Sequence, residues 1–523
     1  MKSTALLLLV LYAGLSLHAQ HQHGVPEKLG SVSLPVSCAE QEQSSFNRAV
    51  ALLHSFAYAP AAEAFEQVAR KDPTCAMAHW GTAMSYYHQL WQPPFPGDGL
   101  QKGRAELARA QQIGIGSAKE REFLAAASLL FLQDSDGYPV HAAKYRDAMA
   151  VVALHYPEDA ESQIFYALAL LATTNPQDKT HQNQKRAAQI LEPLYQKYPQ
   201  HPGVAHYLIH AFDNAELAAK GLAAAREYSQ IAPSAPHALH MPSHIFTRLG
   251  MWQDSVQSNQ AARMAARQQG DVGEELHAMD YLVYASLQEG RDADAAAVIE
   301  DLRGMSRPTA GDFKVGYAST AMPVRYAVER KRWDDATRCA APEGAPPQVA
   351  ALAAWARALG YARSGKATTV QPEVLQELTD ELRSTAAQSE LQSLQRLTEQ
   401  LRAAGNQYWA GQVQIQAKEA SSWIALATRK PEEALALMKS AADEEDAVEK
   451  LPVTPGPVVP AREQLGDMLA QLGQPAAALA EYENALKDSP GRRGALEGAL
   501  TSARAAGLKS KSAYYEAAIR KLN

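Results

Sequence analysis

Two prolines, Pro199 and Pro233, stand one 34-residue period apart. The spacing around them returns near the C-terminus, where Leu465-Gly466, Leu469, Gly473, Ala478, Tyr482, Ala485 and Pro490 follow in order. Each position has a physical task. Small residues let two antiparallel helices approach closely, and large ones fill the gap to the next pair. The closing proline ends the second helix because it cannot continue one. The frame recurs more loosely in Ala61, Phe65 and Pro73, in Trp80-Gly81, and in Leu208, Phe212 and Gly221. It recurs again in Gly250, Trp252 and Ala262, and in Leu282, Gly290 and Ala295. Apolar residues repeat at i, i+3 and i+4 through most of the chain, and the alternation of strands is absent.

A chain of 523 residues is too long for one hydrophobic core. A helical array removes the difficulty, and this pattern resembles the tetratricopeptide repeat (TPR). It predicts an all-α fold, a TPR-type α-solenoid: a right-handed superhelix of roughly ten to twelve antiparallel helix pairs, each contacting mainly its neighbours. The first helix is expected near Ser44–His54. The expected organisation is a signal peptide at 1–19, a flexible segment at 20–37 and an N-terminal TPR array with a His-rich concave face at 38–302. Degenerate helical repeats follow at 303–450, with one pair around Tyr317–Arg330, Trp333 and Ala336 and another across Trp423–Ala442. A Pro-rich segment and a C-terminal TPR with capping helices complete the chain at 451–523. Breaks are expected at Gln92–Gly99, Pro342–Pro347, Gly365–Pro372 and Pro452–Pro460. The last cannot be helical throughout and reads as a stiff linker between repeats; the alternative is a loop that packs into the superhelix and narrows it.

The 16 histidines are unevenly placed. Five of them, His206, His210, His237, His240 and His244, fall within 39 residues, where an even distribution would put about one. With Pro233 at repeat position 32, His206 is position 5 and His210 position 9. One period later both positions are His again, as His240 and His244. Residues i and i+4 share a helix face, and packed helices lie ~8–10 Å apart. Two stacked helices therefore present their imidazoles to one another. The resemblance to TPR arrays implies that positions 2, 5, 9 and 12 face the concave side. His237 and His277 then take position 2, while Asp213 (position 12) and Asp280 (position 5) add carboxylates.

Imidazoles converging with a carboxylate suit Zn²⁺, Cu²⁺ or Fe²⁺. The candidate metal ligands are thus His206, His210, His237, His240, His244, His277, Asp213 and Asp280. Neither H-x3-H stretch has Glu after its first His, so the zinc-protease motif and its general base are absent. Pro242 is comfortable only in a first helical turn, so a helix is expected to begin near Leu239–Met241, leaving the direction of His240 open. Two other readings compete with a metal: a polar groove for a peptide or carboxylate, and plain packing. His79 and His88 read as packing residues, and Tyr86, Tyr87 and Trp91 as core or groove wall. His21 and His23 could hold Cu²⁺ at a new N-terminus after cleavage.

Lys2 followed by the apolar run Ala5–Leu17 and Leu17-His18-Ala19 reads as a cleavable signal peptide, since the run is shorter than the ~20 residues a bilayer needs. The expected location is periplasmic or secreted, with no membrane span after cleavage. Cys38 and Cys75 are a disulfide candidate in such a compartment, and Cys339 is left over. Lys plus Arg is 50 against 57 Asp plus Glu, a net charge of −7, which disfavours nucleic acid as a partner.

The segments Phe46-Asn47-Arg48-Ala49, Asp72-Pro73-Thr74-Cys75-Ala76-Met77-Ala78-His79-Trp80-Gly81, His201-Pro202-Gly203-Val204-Ala205-His206, His240-Met241-Pro242-Ser243-His244 and Pro455-Gly456-Pro457 resemble a family of large, exported bacterial TPR proteins. The resemblance implies a scaffold that binds a protein, peptide or small ligand in its concave groove; the His site would add a metal. A metal-dependent enzyme and a metal-free adaptor are the alternatives. Catalytic triads, phosphate loops and nucleotide fingerprints are absent, so no nucleotide or organic cofactor is expected and the enzyme reading is the weaker.

Overall fold

The computed structural model describes residues 27–91, 93–114, 116–305, 313–364 and 373–522, without the side chains of 373–380. The expected signal peptide, His21, His23, Gln92 and the break at Gly365–Pro372 lie outside these residues. Among the described residues every regular element is a helix. The fold is an all-α, TPR-type solenoid. Its helices run as successive antiparallel pairs, from Gln43–His54 with Tyr58–Lys71 to Arg493–Ala505 with Lys509–Leu522. The repeat positions do what their sizes suggest. A Cβ added at Gly81 would sit 2.3 Å from the Phe65 ring, and one at Gly466 would sit 2.8 Å from the Tyr482 ring. The glycines are what let each large ring lie flat against the neighbouring helix.

The stretch after 303 keeps helical pairs of uneven length. Phe313–Glu329 is followed by the single turn Trp333–Ala336, and Pro347–Arg363 by the 31-residue helix Glu373–Ala403.

Contacts do not stop at neighbouring pairs, as they were expected to. Gln43–His54 packs against Pro202–Phe212, and Val272–Gln288 against Arg493–Ala505. The Trp252 indole N–H donates to the Gly491 carbonyl at 2.8 Å, and Arg493 donates to the Glu289 carbonyl at 2.8 Å. Gly250, at φ +68°, ends the helix Pro242–Leu249 where a Cβ would lie 2.3 Å from the Pro490 carbonyl oxygen. The physical reason is the inner face itself. It carries Phe46, Leu53, Phe56 and Val204, all buried, and water is excluded only if successive turns close upon one another.

The Pro-rich segment is not a linker between repeats. Residues 452–460 run through the interior and are mostly buried. Prolines at 452, 455, 457 and 460 carry no N–H, so the segment brings few donors that need partners. Its carbonyls are served by two fully buried arginines: Arg325 donates to Gly456 and Pro457 at 3.3 Å each, and Arg492 to Val458 at 3.3 Å. Residues 27–37, expected to be flexible, are non-helical but lie along the array. Leu34 is 1% exposed and Ser31 N–H donates to the Gln200 carbonyl at 2.8 Å. Cys38 and Cys75 form a disulfide that ties this segment to the second helix pair. Cys339 is buried, and burial pushes its thiol up to about 11.

His79 and His88 are packing residues. His79 pairs with Glu106 at 2.7 Å, and His88 stacks on Tyr58 with ring centres 4.0 Å apart. Tyr87 is core, whereas Trp91 reaches His277 and Lys314. Burial, helped by Lys314, lowers His88 from 6.5 to about 4. The unfolded chain then binds this proton first, so the stability present above pH 6.5 is lost as pH falls towards 4. The loss amounts to about 3 kcal/mol. Urea unfolding of the intact protein and of His88→Gln across this range should diverge by that amount. Separately, Gly81→Ala should lower stability by about 1–3 kcal/mol through overpacking against Phe65, and Phe65→Leu added to it should recover part of the loss in the same assay.

Candidate metal centre

Four helical segments bring the candidate imidazoles together. Pro202–Phe212 carries His206 and His210; Pro236–His240 carries His237 and His240; Pro242–Leu249 carries His244; Val272–Gln288 carries His277. Pro202, Pro236 and Pro242 each sit in a first turn, where a missing N–H costs nothing. The single helix expected to start near Leu239–Met241 is therefore two short ones. Met241 between them keeps right-handed helical geometry (φ −53°, ψ −35°), so His240 and His244 stay on one face.

The six histidines form two triads. His206, His210 and His237 make one, and His240, His244 and His277 the other; in each, one ligating atom per residue lies within 4.8 Å of the other two. The triads adjoin, with ring centres of His210 and His244 6.0 Å apart and of His237 and His240 5.9 Å apart.

Hydrogen bonds behind the rings set which nitrogen keeps the proton. His206 Nδ1 faces the His54 carbonyl at 2.6 Å and must donate to it. His240 Nδ1 faces Asn259 Oδ1 at 2.7 Å; Asn259 Nδ2 already donates to the Ser255 carbonyl at 2.7 Å, so the oxygen is the acceptor. His244 Nδ1 donates to Asp213 Oδ2 at 2.9 Å, and His237 Nδ1 to Glu274 Oε2 at 3.1 Å. These four rings turn their Nε2 lone pairs inward. His240 Nε2 and His244 Nε2 then face each other at 3.0 Å, and His206 Nε2 meets His210 Nε2 at 3.1 Å. Nε2 of His237 and of His277 is buried with no hydrogen-bond partner. Two lone pairs at 3.0 Å repel unless a cation stands between them. A proton is a poor candidate: burial holds His240 well below its ordinary value and lowers His244 as well. Burial, with neighbouring histidines, does the same to His206 and His210.

The two carboxylates expected as ligands act otherwise. Asp213 belongs to neither triad; it holds His244 from behind and also accepts from Arg248 and Lys450 at 2.9 Å each. Burial works against its charge, but Lys450 and Arg248 hold it well below the usual carboxylate range. Asp280 is directed elsewhere altogether. It pairs with buried Arg325 at 2.8 Å, because the arginine that serves the Pro-rich segment needs a counter-charge. Glu274 was not anticipated. It supports His237 and is itself held by Lys314 at 2.6 Å.

Sequence reasoning also missed a buried group behind the first triad. Glu161 accepts from His54 Nε2 at 2.8 Å and from His201 Nε2 at 2.9 Å, and Tyr207 Oη donates to His54 Nδ1 at 2.9 Å. Every nitrogen and oxygen facing inward there already has a partner, so this network needs no metal. Its members are up to 153 residues apart, and no periodicity joins them.

A small cavity with room for about one water-sized molecule lies between the triads. It is bordered by His210, His237, His244 and His277, and closed by Phe56, Trp91, Met241 and Val453. On the other side of the Pro-rich segment lies a cleft of about 150 Å³, walled by Tyr317, Trp355, Tyr408 and Trp409 and floored by residues 454–460.

No protein-family model matches the chain, and no curated protein matches it. Among solved structures it is similar to the human IFIT1 dimer with m7Gppp-AAAA, at 12% identity over 85% of this chain and 90% of that one, with a TM-score of 0.35. It is also similar to the TPR domain of P58(IPK), at 13% identity over 90% of this chain and 99% of that one, with a TM-score of 0.20.

Removing the Asp213 carboxylate leaves Arg248 and Lys450 buried without their counter-charge. Asp213→Ala should therefore destabilise the protein by about 3–5 kcal/mol in denaturant unfolding.

Proposed function

We propose that this chain is an exported TPR protein built around two transition-metal ions, each bound by three histidines. His206, His210 and His237 hold one ion; His240, His244 and His277 hold the other. The observation that carries the reading is the pair of inward lone pairs on His240 and His244, 3.0 Å apart with both protons committed elsewhere. Three imidazoles leave a coordination position open, as catalytic rather than closed structural sites do. Zinc, copper and iron all accept such donors. The reading therefore favours a metal-dependent activity over a metal-free adaptor. The inner groove that would hold an extended peptide is filled by residues 452–460. A protein, peptide or small organic partner would instead enter the aromatic cleft beyond that segment. Export is supported by the apolar run after Lys2 and by the Cys38–Cys75 bond, which persists in an oxidising compartment.

Elemental analysis of the purified full chain should find two transition-metal ions per molecule. His206→Ala and His240→Ala should each retain one, because each variant leaves the other triad complete. A metal-free protein that also takes up no zinc, copper or iron on dialysis overturns the proposal.

A further inference from the structure

Charge narrows the choice of metal. The inference rests on the two three-histidine sites proposed above. Neutral imidazoles bring no negative charge to a bound cation, and neither triad contains a carboxylate or thiolate. The nearest carboxylates are already spent: Asp213 on Arg248 and Lys450, Glu274 on Lys314. Two dications in adjoining buried sites would repel one another four times as strongly as two monocations at the same separation, since the energy scales with the product of the charges. The desolvation cost of each ion also rises steeply with its charge. Among metals that favour imidazole, copper is the one with a stable +1 state, and it accepts three-coordination. The thioether of Met241, a soft donor that suits Cu(I), borders the same cavity.

The cavity adds the second half. Its polar lining comes from the two triads alone, including the unpartnered Nε2 atoms of buried His237 and His277, and its remaining walls are apolar. The space admits about one water-sized molecule, which makes a diatomic the upper limit for a ligand held there. A small apolar gas fits these walls, and an ionic substrate does not.

We propose that the paired triads bind two Cu(I) ions and that the cavity between them binds one molecule of dioxygen. Each copper gives up one electron and becomes Cu(II). Dioxygen accepts both and becomes a bound peroxide dianion, with no proton or outside reductant required. The two negative charges gained by the oxygen offset the two positive charges gained by the metals. A site without a carboxylate thus stays balanced through the change.

The test loads the full chain with Cu(I) under nitrogen and then admits air. Two coppers per chain and uptake of one dioxygen per two coppers are expected, with a near-ultraviolet absorption band that grows on oxygenation. Zinc(II) titration should show the second ion binding at least tenfold more weakly than the first. His277→Ala should lose one copper and all dioxygen uptake. Val453→Phe narrows the cavity and should keep both coppers, which reports that it is folded, while losing dioxygen uptake. Two zinc ions bound with equal affinity, together with no dioxygen uptake by the copper form, overturn this inference and leave the two-metal reading standing. Failure to bind any metal ends both.

Discussion

Four of the six rings at the centre of this protein turn a bare nitrogen inward because each holds its proton on the far side. The acceptors are a backbone carbonyl at His54, the side-chain oxygen of Asn259, and the carboxylates of Asp213 and Glu274. Imidazole has one proton to give when neutral, so committing it outward fixes what the ring offers inward. Six rings clustered at random would settle into hydrogen bonds with one another. Here the outer partners forbid that for His240 and His244, and the centre acquires a chemical polarity that packing alone would not produce.

That arrangement requires the solenoid to be closed. An open array would expose its concave face to water, and the rings would be hydrated and ordinary. Closure is achieved by groups from far along the chain: the first helix covers the His206 side, and the Pro-rich segment covers the other. Burying an extended segment is normally expensive, because its backbone groups lose water. Prolines remove much of the donor side of that cost, and Arg325 and Arg492 meet the acceptor side. Those arginines in turn require Asp280, Glu329 and Glu463, with Arg492 2.9 Å from Glu329 and 2.5 Å from Glu463. A single buried strap thus accounts for a network of buried charge that has no other evident purpose.

The helical pairs and the shared face of His206, His210, His240 and His244 were legible in the sequence because both follow from a period. His277 and His237 were legible for the same reason. Asp280 also fitted the period, yet it faces Arg325, since periodicity assigns a face and not a partner. Glu274, Asn259, Lys450 and the His54–Glu161–His201 group carry no such signal. Their roles depend on how successive turns meet, and the pattern within one repeat contains nothing about the next turn. The Pro-rich segment could be read as non-helical from its composition, but its position inside the superhelix comes from the arginines on other helices.

Lys450 and Asp213 are 237 residues apart. All six rings lie between residues 206 and 277, but the carboxylate behind His244 gains one of its two cations only when residue 450 arrives. A growing chain therefore emerges with its rings in place and its centre still wet and incomplete. The pocket becomes a dry chamber only after nearly the whole polypeptide has been made, so any ion it holds is captured at the end of folding, in whatever compartment that end is reached.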